Sequence, residues 1–559
     1  MIVKVTINGN EYEVSDGDTI LNVCRKLVIL VPHLCYLKGF SPSGVCGLCT
    51  VEVDSGNIVL SCLTPIKDGM NIITDSKRLD EIRKINIDRL LKNHNIDCFN
   101  CIQNGSCDLQ NFSAKIYGRS GISSKLEQKK VDFDISEISG KFIHDHGKCI
   151  NCLKCIKFLN KNCNDCIKKI EEFESIDESN DMILNAVDIC PTNALEYEQN
   201  LIPDFLSEEC ETYDINDIFT PKFLIHKSDN KIIKIKSINE NYISDRTRIS
   251  IKNIPQRTHI EDDYRHIIDQ LTQKIESGNH EKSIFVIGDN LDIVSLYYIK
   301  KLSEKLENVR ICVNDSQIPS ELNVPLGINK SDLISMDFAI FIGTNSTTDM
   351  YHVNAFSSRN KKSISLNIDA LDQFFTNEDQ QFFGYNNPYL FLHSSIFKLS
   401  DPNIILEKIK KFKDQYREKY IKSLKIKILP ENLSQMLMNN ISDKIPISDL
   451  FTRFNKHDIR FICVVGDLSY NLNSGEIFTI YNSVLKKDEN EYIPSKHFTE
   501  DSTYHMNVFG EIIKTNEVIK SNLKSNREFL FDLMKNIFTD EFDDINNEIH
   551  KSIRKRFFA

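Results

Sequence analysis

The chain of 559 residues has no tryptophan, only 20 glycines and 14 prolines, and no uncharged apolar run long enough to span a membrane, which takes about 18–20 residues. Average usage would be about 7% glycine and 5% proline. The three scarce residue types share G/C-rich codons, so their shortage reflects base composition and carries no functional information. Basic side chains are outnumbered too, 69 Lys and Arg against 80 Asp and Glu, for a net charge of −11. That balance favours neither a nucleic-acid partner nor an anionic membrane surface, and no direct membrane insertion is expected. The opening MIVKVTI is strand-like, without a charged-then-apolar leader or an Arg/Ser-rich transit segment, so no targeting peptide and no export are expected. Cysteine is nearly absent from the later chain. Of 17, only Cys210, Cys312 and Cys463 lie beyond residue 190. The rest fall in close clusters, which in a large leaderless chain point to metal ligands rather than disulfides. With 41% hydrophobic and 27% charged residues, the chain can bury three to four cores at about 150 residues each.

Val3, Val5 and Ile7 alternate before Asn8-Gly9, and Tyr12 and Val14 resume the alternation, which predicts a β-hairpin. Asp18 or Thr19 can cap a helix with an apolar face of Ile20, Val23, Cys24 and Leu27, so Cys24 reads as core. Cys35, Cys46, Cys49 and Cys62 follow, the last two flanking a second hairpin of Thr50–Val53 and Ile58–Ser61. This succession resembles the β-grasp of [2Fe–2S] ferredoxins. Gly44 and Gly47 suit a loop whose N–H groups approach cluster sulfurs closely. Structural zinc is the rival for four thiolates, but zinc sites usually carry two Cys-x-x-Cys pairs and here there is one.

Ile82, Ile85, Ile87, Leu90 and Leu91 read as a helical stripe leading to His94, Cys98, Cys101 and Cys107. By ligand count alone this set fits zinc. The strings LLKNH, IDC, CIQNGSCDLQNFS and IYG, however, resemble the His(Cys)₃ [4Fe–4S] segment of the large iron–sulfur subunit family, the G or 75 kDa type, of respiratory complex I. Iron-only hydrogenases and NAD-linked formate dehydrogenases share that segment. Cys149, Cys152 and Cys155 form the opening triplet of a ferredoxin-type [4Fe–4S] site, with Cys190-Pro191 as the expected fourth ligand. A second triplet would need cysteine at Asn180, Ile183 and Ala186, and none is there. Cys163 and Cys166 could supply the fourth ligand, form a separate metal pair or be inert; their Lys/Asn-rich setting reads as exposed and the favoured reading leaves them unliganded. His144 and His146 read as solvated.

Residues 211–251, with YISDRTR, resemble the small β domain that opens the molybdopterin-oxidoreductase-like part of the same family. Its four-cysteine cluster is expected to be absent, since only Cys210 remains. Beyond 266, apolar runs ending in glycine recur at Ser283–Ile287, Phe338–Ile342 and Phe461–Val465, with helical stretches such as Leu291–Leu306 between. They predict an α/β parallel-sheet domain. Cys312 and Cys463 read as core within strands.

The resemblance implies a multidomain chain: a [2Fe–2S] ferredoxin-type β-grasp over 1–78, a small helical His(Cys)₃ segment over 79–118, and a ferredoxin-like domain with one [4Fe–4S] over 119–208. A small β domain over 209–265 and a degenerate, truncated α/β molybdopterin-oxidoreductase-like scaffold over 266–559 follow. It further implies one [2Fe–2S] and two [4Fe–4S] clusters, no molybdopterin, and no complete active site on this chain. In the family, electrons from NADH pass through a flavin (FMN) subunit, cross this subunit, and leave toward quinone-arm iron–sulfur subunits, coupled in the complex to proton translocation. The place implied is peripheral, on the cytoplasmic side of a bacterial inner membrane or the matrix side of the mitochondrial one. The alternative is the large subunit of an NAD-linked formate dehydrogenase or iron hydrogenase.

Overall fold

The computed structural model describes residues 2–54, 56–117, 135–138, 142–160, 184–197, 207–238, 241–252, 254, 261–277, 281–313, 327–343, 362–366, 374–375, 385–398, 402–420, 424–430, 433–434, 444–446, 449–450, 453–454, 458–468, 472, 477–483 and 491–557. They form two compact units, the first from residues up to 209 and 226–245, the second from 210–225 and the described residues beyond 245.

In the first unit β1 (Ile2–Ile7) pairs antiparallel with β2 (Asn10–Ser15), and the Asn8-Gly9 turn has φ of 50° and 84°. Positive φ at both positions is the hairpin turn that Asn-Gly forms with least strain. Helix α1 (Ile20–Lys26) starts where the Thr19 side chain accepts from the Asn22 N–H, and it buries Ile20, Leu21, Val23 and Cys24. The second predicted hairpin is β3 (Thr50–Val53) with β4 (Asn57–Leu60). A strand not anticipated, β5 (Asn71–Ile73), inserts parallel to β1 and antiparallel to β3, giving the order β2-β1-β5-β3-β4.

Helix α2 (Lys77–Leu91) buries Leu79, Arg83, Ile87, Leu90 and Leu91. The stripe expected from sequence is corrected here: Ile85 is 69% exposed and an arginine takes the buried register. The reason is that Arg83 Nη2 donates to the carbonyls of Thr50 (2.9 Å) and Thr74 (2.8 Å), groups that an isoleucine would leave unpaired. Helix α3 (Asp108–Tyr117) follows. Strands β6 (Ile135–Ile138), β7 (Phe142–Asp145) and β8 (Leu195–Tyr197) form an antiparallel sheet with β7 central, and the chain between β7 and β8 carries α4 (Lys154–Asn160) and α5 (Leu184–Asp188). Strands β9 (Glu208–Tyr213), β10 (Lys222–Ser228) and β11 (Lys231–Ser237) come next, then α6 (Asp245–Lys252).

The second unit continues through α7 (Glu261–Glu276), β12 (Lys282–Ile287), α8 (Ile293–Lys305), β13 (Val309–Val313), α9 (Lys330–Ser335), β14 (Phe338–Ile342), β15 (Lys362–Leu366), β16 (Pro388–His393), α10 (Pro402–Tyr420), β17 (Lys425–Leu429), β18 (Lys444–Pro446), β19 (Ile459–Val465), β20 (Thr479–Ser483) and β21 (Glu491–Pro494). The expected single parallel sheet is two. One is six-stranded, β18-β13-β12-β19-β20-β21, and the Phe338–Ile342 strand belongs to the other, β15-β14-β16-β17. All described pairings within both are parallel. Apolar side chains cover both faces of the larger sheet, which is why its strands read as continuous hydrophobic runs. The glycines after these strands serve packing: a Cβ on Gly288 would stand 2.6 Å from the Gly466 carbonyl carbon. Cys312 and Cys463 are buried strand residues, as expected. The antiparallel pair β22 (Tyr504–Met506) and β23 (Ile512–Lys514) and helices α11 (Asn526–Ile537) and α12 (Phe542–Phe557) complete the unit.

Candidate metal centres

The loop after α1 and the β3–β4 hairpin bring Cys35, Cys46, Cys49 and Cys62 together as two pairs. Cys35 Sγ lies 3.3 Å from Cys46 Sγ, and Cys49 Sγ lies 3.3 Å from Cys62 Sγ. Two thiolates on one tetrahedral ion at about 2.3 Å stand about 3.8 Å apart, so each pair has nearly the spacing that one metal ion needs. Among the described residues no three His, Cys, Asp or Glu side chains close on a single ion. Two such pairs suit two bridged irons, and four thiolates also suit one zinc ion. All four cysteines are buried. The hydrogen bond within each pair pushes the Cys35 and Cys49 thiols down toward thiolate and holds Cys46 and Cys62 up. Gly44 and Gly47 have φ of 65° and 69°, the left-handed backbone anticipated for this loop. Two buried donors beside the pairs, Thr50 Oγ1 and Arg83 Nε, have no hydrogen-bond partner among the described residues. Such orphans fit a site whose acceptors are sulfurs of a bound group.

His94, just past the end of α2, lines a small cavity with Cys98, Cys101 and Cys107, of about 20 Å³. Its Nδ1 is buried without a hydrogen-bond partner. Burial holds the ring's pKa below its ordinary value, which keeps it in the neutral form that binds metals. Burial also pushes the Cys98 thiol up and that of Cys107 to about 11, and the Gln110 N–H points at Cys107 Sγ from 3.5 Å.

Cys149, Cys152, Cys155 and Cys190 line one cavity of about 290 Å³, far more than the 10–15 Å³ or so that a single water needs. The triplet loop turns so tightly that Asn151 and Leu153, neither a glycine, take φ of 50° and 62°. Each costs of order 1–3 kcal/mol, a strain typical of functional loops. Cys190 reaches the cavity from beyond α5, and the Ala194 N–H donates to its Sγ at 3.2 Å. Burial pushes Cys152 up to about 12 and Cys155 well up, so a metal entering here has to expel protons. His144 and His146 line the same cavity with their rings 4.2 Å apart. The expectation that both are solvated is corrected for His144, which β7 turns inward to 2% exposure. Cys163 and Cys166 lie outside the described residues.

The three sets meet in one apolar core. Cys35, Cys46, Cys107 and Cys152 pack in a single cluster with Leu34, Leu48, Ile87 and Ile150. Ser43 Oγ reaches the carbonyls of Cys35 (3.5 Å) and Cys152 (3.4 Å). Thr192 lines both the His94 and the Cys190 cavities. Ser43, Thr192 and Arg83 were not anticipated. Only Arg83 had a sequence signal, a charge at an apolar position of α2.

Residues 1–77 match a family described as a 2Fe-2S iron-sulfur cluster binding domain, and residues 83–118 match the NADH-ubiquinone oxidoreductase-G iron-sulfur binding region. Curated relatives include the G subunit of the NADH-quinone oxidoreductase of Rickettsia felis, 28% identical over 347 residues, which is 56% of this chain and 50% of that protein. The NADH-ubiquinone oxidoreductase 75 kDa subunit of Reclinomonas americana is 26% identical over 359 residues, 58% of this chain and 50% of that protein. The chain thus spans about half the length of the curated relatives it matches. Among solved structures, an NAD+-reducing [NiFe]-hydrogenase in the H2-reduced state aligns at 21% identity and a TM-score of 0.30, over 35% of this chain and 87% of that one. The resemblance to the large iron–sulfur subunit of complex I, read from the motifs, is borne out by these relatives.

Proposed function

We propose that this chain is an electron-relay subunit of an NADH-quinone oxidoreductase of the complex I type. In this reading Cys35, Cys46, Cys49 and Cys62 hold a [2Fe–2S] cluster, and His94, Cys98, Cys101 and Cys107 hold a [4Fe–4S] cluster. Cys149, Cys152, Cys155 and Cys190 hold a second [4Fe–4S]. The observation that carries it is the shared core: ligands of all three sets are buried against one another, so three redox groups would lie in sequence inside one compact unit. Such clusters supply one-electron transfer when bound. The chain's own work is to hold them, exclude water with Leu34, Leu48, Ile87 and Ile150, and tune them with N–H groups such as those of Gln110 and Ala194. The partners are a flavin subunit that oxidises NADH and iron–sulfur subunits leading to quinone, in a complex that also translocates protons. The place is peripheral, at the cytoplasmic face of a bacterial inner membrane or the matrix face of the mitochondrial one. Among the described residues no helix is long and apolar enough to cross a membrane. Residues 266–559 form a scaffold of the molybdopterin-oxidoreductase kind without pterin, and the chain has no complete active site.

The test separates this from a formate dehydrogenase or hydrogenase subunit. The loaded chain is mixed with an NADH-oxidising flavoprotein subunit, and its visible absorption is followed anaerobically. NADH should bleach it only when the flavoprotein is present, and formate or hydrogen should not. Bleaching by formate or hydrogen with this chain alone would overturn the proposal.

A further inference from the structure

We propose that Arg83 positions the two-iron site of Cys35, Cys46, Cys49 and Cys62 and sets its potential: its buried guanidinium ties the Cys49 strand to α2 and favours the reduced state of the site. The inference rests on the cluster assignment proposed above.

Arg83 occupies the apolar register of α2 between Leu79 and Ile87 and is 7% exposed. Its Nη2 bridges two carbonyls, that of Thr50, the residue after Cys49, and that of Thr74, the residue after β5. One nitrogen thereby links the strand that directly follows the ligand Cys49, the end of the central short strand and the helix that leads to His94. The nearest carboxylate, Asp80 Oδ1, is 3.9 Å from Nη1 on a side chain 67% exposed, too distant and too wet to neutralise the charge. Nε keeps a buried proton with no partner among the described residues.

A cation in this position is costly. Removing a guanidinium from water is unfavourable by several kcal/mol unless charge and hydrogen bonds compensate, and two neutral carbonyls compensate only in part. Burial pulls the Arg83 pKa down, while Asp80, Asp75 and the Cys49 sulfur oppose that pull. Four thiolates around two irons supply the missing negative charge. One-electron reduction adds a further unit of negative charge to that already anionic site. A fixed buried cation lowers the energy of the added charge more than that of the oxidised state, so it raises the reduction potential.

The experiment is an anaerobic redox titration of the loaded full-length chain with dithionite, followed by the EPR signal of the two-iron site and by iron content. Arg83→Gln should keep the two irons and shift the midpoint to a lower potential. Arg83→Lys, which keeps the charge, should lie closer to the parent chain. A loaded Arg83→Gln chain with an unshifted midpoint would overturn the inference. If Arg83→Gln does not retain the cluster, Arg83→Met, which fits the apolar register of α2 without the charge, takes its place, and an unshifted midpoint in that chain overturns the inference. A parent chain with no two-iron signal would sink the electron-relay reading itself.

Discussion

Asn86 Nδ2 donates to the carbonyl of Gly47 at 3.0 Å, and a Cβ on Gly47 would stand 2.6 Å from Asn86 Oδ1. The loop between Cys46 and Cys49 is therefore clamped on α2 at a residue whose φ of 69° suits only glycine without strain. Gly47→Ala should cost about 1–2 kcal/mol for the left-handed backbone and about 1 kcal/mol more for the displaced hydrogen bond. A lower melting temperature and faster cluster loss on air exposure should follow. A chain that melts and bleaches like the parent would contradict the clamp.

His94→Cys should still assemble a cube, because thiolate is the usual ligand of that cluster type. The added negative charge should lower the cluster's potential. Loss of that cluster's EPR signal, with iron in the other two sites unchanged, would show that the imidazole is needed for assembly and not for tuning.

Cys190 lines the cavity of the triplet, its Sγ held by the Ala194 N–H, so Cys190→Ser should lower the iron content or convert that cube to a three-iron form. Cys163→Ser and Cys166→Ser should each leave iron content at the parent level. The opposite pattern, loss in either of these with retention in Cys190→Ser, would move the fourth ligand.

His505, on β22, is buried, its Nε2 is 2.8 Å from Thr503 Oγ1, and its Nδ1 has no hydrogen-bond partner among the described residues. Burial pulls its pKa down to about 3, against about 6.5 in an unfolded chain. Between those values the unfolded state binds the proton and the folded state does not. Stability is therefore complete above about pH 6.5 and falls with acid, by up to about 1.4 kcal/mol per pH unit from this residue. Denaturant melts from pH 7 to pH 4 should show a shallower acid loss in His505→Gln than in the parent. Parallel curves would contradict it.

Much of this was legible because local chemistry fixes it. Val3, Val5 and Ile7 around Asn8-Gly9 encode a hairpin through alternation and turn type, and the glycine-ended runs encode parallel strands. Pairing is not local. Nothing in Phe338–Ile342 says that it joins a different sheet from Ser283–Ile287, and the three residues of β5 are too few to carry a period. The metal sets were legible as spacing, since cysteine and histidine ligands declare themselves by type. Their surroundings were not. Ser43 and Thr192 matter through contacts made far along the chain, and His144 lies in a polar stretch that only the β7 sheet turns inward. Arg83 was hidden by reading α2 as an apolar stripe and passing over the charge within it.

The most direct test of the central claim is a count of iron, acid-labile sulfide and zinc on the anaerobically purified full chain. One two-iron and two four-iron clusters require about ten irons and ten sulfides per chain, with negligible zinc. A colourless chain carrying stoichiometric zinc would contradict the account, and a reproducible value of about fourteen irons would mean a fourth cluster.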